Sequence, residues 1–177
     1  MKQLYSVSTR SDIPAKHRDT PIGLLLEYHN LKRPFDNYSQ AHLMISICMD
    51  NRIQLQMPEN FAFILRTGGA NLRFNEFQVS HAIAIGNVES FALIGHTQCG
   101  MVNLCDRRAQ FVKGLVDATG WENEKAEEYF LKFSPQNEIV NEVDFVISEA
   151  ERFRLIYPKI NIVPILYRVE DHLLYLL

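Results

Sequence analysis

The chain has 177 residues, of which 47% are apolar and 22% are charged, and its formal net charge is −3. This length suits one domain with a full hydrophobic core and is short for two. The slightly acidic balance and the lack of a basic stripe argue against nucleic-acid binding, and the apolar runs are shorter than the ~20 residues of a membrane span. The segment from Met1 to Tyr5 has no apolar signal core, so we expect a cytoplasmic protein without a membrane segment.

The chain is predicted to consist of a short arm and one folded unit. Residues 1–18 are polar and mixed, and we expect them to form an N-terminal arm before a zinc-binding α/β domain over residues 19–177. That domain begins with a predicted helix, which starts at Thr20-Pro21 and ends before Pro34.

Apolar runs then alternate with helical patterns. Strands are predicted over residues 43–48, 61–65, 90–95 and 160–169, with a short strand or interface segment over 173–177. Helices are predicted over residues 75–85, 98–117 and 121–133, and from Pro135-Gln136 to Phe153. Core contacts in the first of these helices are predicted for Phe77, Ala82, Ile83 and Ile85. Pro164 inside the fourth strand predicts an edge position or a bulge.

This alternation predicts a mostly parallel central sheet of four to five strands flanked by helices. Ligands in such sheets bind beyond the carboxyl ends of the strands, where the strand order reverses. If the second and third strands lie on opposite sides of the first, Cys48 and His96 meet at that crevice, although they lie 48 positions apart.

Cys48, His96 and Cys99 supply two thiols and one imidazole, which form a catalytic zinc set with a fourth position left for water or substrate. His96 and Cys99 are three residues apart, at a predicted junction of strand and helix. That spacing puts both side chains on one side of the first helical turn, whose N-terminus would lower the pKa of the thiol. The sequence therefore predicts a Zn²⁺ site, with Cys105 as an ordinary packing residue.

Asp50 and Arg52 follow the first of these cysteines closely. A carboxylate at this place can ligate the metal itself, or Arg52 can hold it away through a planar fork. Held away, Asp50 leaves the fourth position to water. An ordinary salt bridge at the end of a strand is the simpler alternative.

The residues Cys48-Met49-Asp50-Asn51-Arg52 and His96-Thr97-Gln98-Cys99 resemble the C-x-D-x-R and H-x-x-C signatures of the β-class carbonic anhydrases. The resemblance extends from about Leu43 to Met101. It implies reversible hydration of carbon dioxide to bicarbonate by a zinc-bound hydroxide. In that reaction Asp50, oriented by Arg52, would position the hydroxide, and Asp50 would be a metal ligand only in a closed form.

Two other functions are compatible with the same residues. One is hydrolysis of carbonyl sulfide or carbon disulfide on the same zinc set, and the other is a catalytically silent zinc protein with Asp50 on the metal. Thr67-Gly68 replaces the Asn-Ala of the usual Arg-Asn-Ala-Gly, so we expect an altered pocket wall. We also expect a homodimer or a dimer-based oligomer, because Leu24 to Leu26 and the apolar carboxyl end predict apolar surface.

Overall fold

The structure, a computed structural model, describes residues 4–177, so the first three residues of the expected arm lie outside the described part of the chain. The strands are β1 (Tyr5–Ser6), β2 (Leu43–Cys48), β3 (Ala62–Thr67), β4 (Ser90–His96), β5 (Asn161–Arg168) and β6 (Leu173–Leu176). The α-helices are α1 (Ala15–Arg18), α2 (Pro21–Leu31), α3 (Glu76–Ala84), α4 (Arg108–Thr119), α5 (Asn123–Asn137) and α6 (Glu142–Ile156). Short 3₁₀ turns cover Arg10–Asp12, Gly68–Ala70 and Leu104–Arg107. None of the described helices is long and apolar enough to cross a membrane.

The strands form a single mixed sheet in the order β1-β6-β5-β4-β2-β3. Strands β3, β2, β4 and β5 are parallel, whereas β6 runs antiparallel to β5 and β1 antiparallel to β6. The predicted α/β class is confirmed, and the sheet has one strand more than expected because β1 pairs with β6. The boundary of the arm at residue 18 stays a prediction.

Helices cover both faces of the sheet. Helix α2 packs on one face, where Ile22, Leu25 and Leu26 share a core with Ile45 and Ile47 of β2. Helices α3 and α6 pack on the other face against Met44, Phe91 and Leu93. Every residue of β2 and β4 is buried, as is typical of central parallel strands. Helices α4 and α5 form a small separate core around Val112, Ala126 and Phe130.

Pro164 lies in an internal strand, so β5 is not an edge strand of the sheet. Its strand pairs with β4 without interruption from Asn161 to Tyr167, so there is no bulge there either. Pairing with β6 begins only at Ile165, which leaves the first half of β5 without a neighbour on that side. A proline is tolerated there because a missing N–H costs nothing where no strand accepts it.

Two predicted helix starts are also wrong. The helix expected at residue 98 begins at Arg108, after a turn and a 3₁₀ segment. Pro135 lies inside the last turn of α5, and the next helix starts at Glu142. The true start is marked by Asn141, whose Oδ1 accepts the backbone N–H of Val143 at 2.9 Å and of Asp144 at 3.0 Å.

The apolar surface of the chain is not where the sequence suggested. Leu25, Leu26 and Leu174 are fully buried in the chain's own core. Instead, apolar side chains are exposed along the free edge of the sheet. We call this the β3 edge patch, and it consists of Phe63, Ile64 and Phe77, which are exposed and line one shallow cleft. Phe77 and Ile85, which were predicted to contact the core, are exposed and therefore misassigned, whereas Ala82 is buried as predicted.

Gly23 allows α2 to approach the preceding turn. A Cβ added there would lie 2.3 Å from the carbonyl oxygen of His17 and 2.7 Å from that of Arg18. We expect Gly23→Ala to lower the free energy of unfolding by about 1 to 3 kcal/mol, because backbone atoms cannot yield as a flexible side chain can.

Gly114, in the middle of α4, provides the matched control. Apart from the neighbouring backbone of α4, no atom of the described residues lies within 4 Å of a Cβ added there, so Gly114→Ala should raise the free energy of unfolding by about 0.5 to 1 kcal/mol. Urea denaturation measures both changes. Equal effects of the two substitutions would contradict the close contact inferred at Gly23.

Candidate metal centre

The candidate site lies where the strand order reverses. Strand β2 has β3 on one side and β4 on the other, so the carboxyl ends of β2 and β4 meet at the switch point of the sheet. Cys48 is the last residue of β2 and His96 the last of β4, and Cys99 follows in the next turn. The predicted juxtaposition of the two motifs is confirmed.

Cys48, His96 and Cys99 form a compact group of potential metal ligands. One donor atom from each residue lies within 4.8 Å of the other two, and the three side chains are buried, at 4%, 1% and 3% exposure. Thiolate and imidazole groups bind zinc well, whereas magnesium and calcium prefer oxygen ligands. Three such donors in one buried place could hold a metal ion and leave one position open.

His96 is oriented as a ligand. Its Nδ1 lies 3.0 Å from the carbonyl oxygen of Thr97. A carbonyl only accepts, so Nδ1 carries the proton and Nε2 keeps its lone pair. That Nε2 is buried and has no hydrogen-bond partner among the described residues. An unpaired buried nitrogen is unfavourable unless something binds it, so the ring fits a metal held between the two sulfurs.

The surroundings of the Cys48 sulfur favour its thiolate form. Its pKa is lowered because the Cys99 thiol donates a hydrogen bond to it, with further contributions from the backbone N–H groups of Asp50 and Gly69. The Gly69 nitrogen lies 3.3 Å from the Cys48 sulfur. The same contact with Cys48 raises the pKa of Cys99. The pKa effect of a helix N-terminus, expected from the sequence, is absent because residues 98–103 are not helical.

Asp50 and Arg52 form a planar ion pair beside the three ligands. Arg52 donates from Nε to Oδ1 at 2.9 Å and from NH2 to Oδ2 at 2.6 Å, and its backbone N–H also donates to Oδ1 at 2.9 Å. These hydrogen bonds and the positive charge lower the pKa of Asp50 to about 2. The carboxylate is thus ionised, and both of its oxygens accept hydrogen bonds from Arg52.

Some residues of the site could not be found from the sequence motifs. Arg52 NH2 also donates to the Gln98 carbonyl oxygen at 3.0 Å, and Glu142 Oε1 accepts the N–H of Cys99 at 3.0 Å. Glu170 contacts Gln98 from the turn between β5 and β6. In the sequence motif Gln98 is only an unspecified position between two candidate ligands, and neither glutamate belongs to a motif.

An apolar cleft adjoins the segments that follow Cys48 and Cys99, although neither cysteine lines it. Its volume is about 390 Å³, and Met49, Gly68 and Met101 connect it to the segments that carry Cys48 and Cys99. Its other wall is aromatic and comes from α4 and α5, with Phe111, Tyr129, Phe130 and Phe133. A Cβ at position 68 would lie 3.1 Å from the Met101 sulfur, so the glycine that departs from the usual pattern widens this cleft.

A mostly parallel sheet with a buried Cys-His-Cys group at its switch point defines an α/β protein with a candidate metal centre. Neither the models of protein families nor the curated proteins contain a match to this sequence. The class of this protein therefore follows from its structure and not from a sequence match.

Solved structures with the same fold are β-carbonic anhydrases and related enzymes. A carbonic anhydrase from Glaciozyma antarctica superposes with a TM-score of 0.60 at 19% identity, over 77% of this chain and 83% of that chain. β-Carbonic anhydrase isoform I from Trichomonas vaginalis superposes with a TM-score of 0.59 at 20% identity, over 80% of this chain and 85% of that chain. The apo form of a carbon disulfide hydrolase superposes with a TM-score of 0.55 at 20% identity, over 76% of this chain and 77% of that chain. The chain thus has the β-carbonic anhydrase fold, which confirms the resemblance predicted from its motifs at the level of the fold.

Proposed function

We propose that this protein catalyses the reversible hydration of carbon dioxide to bicarbonate, with zinc held by Cys48, His96 and Cys99. The observation that carries the proposal is the forked Asp50–Arg52 pair beside a buried group of two sulfurs and one nitrogen. A purely structural zinc site has four protein ligands, whereas this one has three and a carboxylate that is held away.

Different residues of the chain have different roles in this reaction. A zinc ion, when bound, would supply a water molecule of lowered pKa at neutral pH. The Asp50 carboxylate, ionised and oriented by Arg52, accepts a hydrogen bond from the reacting water and so orients its lone pair. The neighbouring apolar cleft offers the uncharged substrate a surface with little competing water. Because the pKa of Asp50 is lowered to about 2, its carboxylate stays ionised at every pH from 6 to 9.

A second candidate is hydrolysis of carbon disulfide or carbonyl sulfide. It is favoured by the apolar character of the cleft, in which Met49 and Met101 lie beside the ligand segments, and by the similarity of the fold to a carbon disulfide hydrolase.

Stopped-flow measurement of carbon dioxide hydration by the zinc-loaded protein tests the proposal. We expect rates well above the buffer reaction between pH 6 and 9. One zinc per chain without hydration would exclude the first candidate. Release of hydrogen sulfide from carbon disulfide or carbonyl sulfide would then identify the second, and no turnover of any of the three would indicate a silent protein with Asp50 on the metal.

We further propose that the protein works as a homodimer or dimer-based oligomer in the cytoplasm. The β3 edge patch supports the first part: no strand of the described chain pairs with β3 on its outer side, and Phe63 and Ile64 are exposed on opposite faces of the sheet. Three free cysteines, two of them in the candidate site, match the reducing conditions of the cytoplasm.

Light scattering tests the proposed dimer. At micromolar concentration we expect the mass of two or more chains. Phe77→Asp should weaken association by more than about tenfold, because it places a charge in the β3 edge patch. Leu155→Asp is the matched control, since Leu155 is equally exposed, at 86% against 79% for Phe77, but lies on α6. A monodisperse monomer of the unmodified protein would refute the proposal.

A further inference from the structure

Glu170 holds the segment between two of the candidate ligands. Thr97 and Gln98 connect His96 to Cys99, and both donate to the carboxylate of Glu170 in the turn after β5. The Thr97 hydroxyl lies 2.8 Å from Oε2, and Gln98 Nε2 lies 3.0 Å from Oε1. The Thr97 hydroxyl oxygen also accepts the backbone N–H of Val169 at 2.9 Å. The segment is thus attached to this turn by both of its side chains.

Gln98 connects Glu170 to the ion pair. Its carbonyl oxygen accepts from Arg52 NH2 at 3.0 Å, and its side-chain Oε1 accepts from Arg52 NH1 at 3.3 Å. The amide of Gln98 therefore receives a hydrogen bond on one side and donates one on the other. Its backbone has φ +59°, a left-handed conformation that a residue with a side chain keeps only where its surroundings hold it.

Arg52 depends on these contacts for its position. Its side chain is 40% exposed, and Asp50 and Gln98 accept all of its side-chain hydrogen bonds. Water competes for the exposed guanidinium, and holding this long side chain in one geometry costs conformational freedom, so acceptors beyond the Asp50 carboxylate help to fix it. The contacts to Gln98 provide the additional fixed acceptors, and Glu170 fixes Gln98.

We propose that Glu170 is a positioning residue: through Gln98 it holds Arg52 on Asp50 and so keeps the Asp50 carboxylate away from the metal. The inference rests on the proposed function, because it concerns the same metal site. When Glu170 is removed, Gln98 and then Arg52 are released, and Asp50 becomes free to compete for the open metal position. An external ligand of the metal should then bind more weakly.

Azide binding to the cobalt(II)-substituted protein tests this, with visible absorption as the readout. We expect Glu170→Ala to raise the azide dissociation constant by about five- to tenfold, which corresponds to the loss of about one hydrogen bond of ordinary net strength. Gln98→Ala should have the same effect, and the double substitution should add nothing further. Glu170→Gln keeps one acceptor oxygen and should retain most of the azide affinity.

Asp50→Asn separates positioning from general structural damage. Added to Glu170→Ala, it should restore azide affinity, because the competing carboxylate is gone. Glu138→Ala is the matched control: Glu138 accepts from Cys105, at 3.0 Å from both the backbone nitrogen and the sulfur, and is not bonded to Arg52. Unchanged azide affinity in Glu170→Ala, or a loss that Asp50→Asn does not restore, would overturn the inference.

The same measurements distinguish the failure of this inference from failure of the proposed function. If the unmodified protein does not hydrate carbon dioxide but the azide results are as expected, Glu170 still positions Arg52 in a metal site of another activity. If hydration is rapid and azide binding is unaffected in Glu170→Ala and Gln98→Ala, the function stands and the role of Glu170 is refuted.

Discussion

Replacing Cys48 with alanine should leave a folded protein that no longer retains zinc and has no hydration activity. One of three donors is lost, and the unpaired Nε2 of His96 and the Cys99 sulfur alone make a poor site. Loss of a residue that merely supports a metal ligand costs 10- to 100-fold in affinity, so loss of a ligand should cost more than about 100-fold. Zinc content after dialysis and stopped-flow hydration measure the two effects.

Cys105 offers a control of the same residue type. It is exposed and donates to Glu138 rather than to the site, so Cys105→Ser should keep one zinc per chain and full activity. Circular dichroism of the Cys48 variant verifies that it is folded. Full zinc content in folded Cys48→Ala would show that the metal binds elsewhere.

The second large effect is expected at Asp50. Asp50→Asn should retain zinc but lower the rate of hydration by about 10²- to 10⁴-fold, the range associated with a positioned acid–base group. The amide has nearly the shape of the carboxylate but no charge, so it is a poorer acceptor for the reacting water and a poorer partner for Arg52. Zinc analysis and stopped-flow rates on the same sample separate binding from catalysis.

Asp36 is a suitable comparison for Asp50. It also pairs with an arginine, at 2.9 Å from Arg33, and accepts the Tyr28 hydroxyl at 2.7 Å, but it lies in the loop after α2. Asp36→Asn should therefore leave hydration unchanged. If Asp50→Asn were as active as the unmodified protein, the Asp50–Arg52 pair would be an ordinary salt bridge.

The strands and the place where Cys48 and His96 meet could be predicted because the same physical cause produces both. Continuous apolar runs such as β2 and β4 fit only a sheet that is covered on both faces, and helices between such strands require parallel order. Cys48 and His96 end two of these runs. The order of the strands then brings them together, whatever the details of the loops.

The segments that the sequence mispredicted depend on contacts between distant parts of the chain. The left-handed conformation of Gln98 is maintained by Arg52 and Glu170, so no local pattern could exclude the helix expected at residue 98. Pro135 looks like a helix start but ends one. Phe77 has the spacing of a core residue and is exposed, because β3 is the last strand of the sheet and none of residues 4–177 covers its outer side.

The division of the ligands between two strands also has a kinetic consequence. Cys48 and His96 are adjacent only after β2 and β4 have paired, so the three-donor site is incomplete in any chain that has not yet formed the centre of its sheet. Bound zinc should therefore act mainly by slowing the unfolding of the native protein and should have little effect on the rate at which it folds.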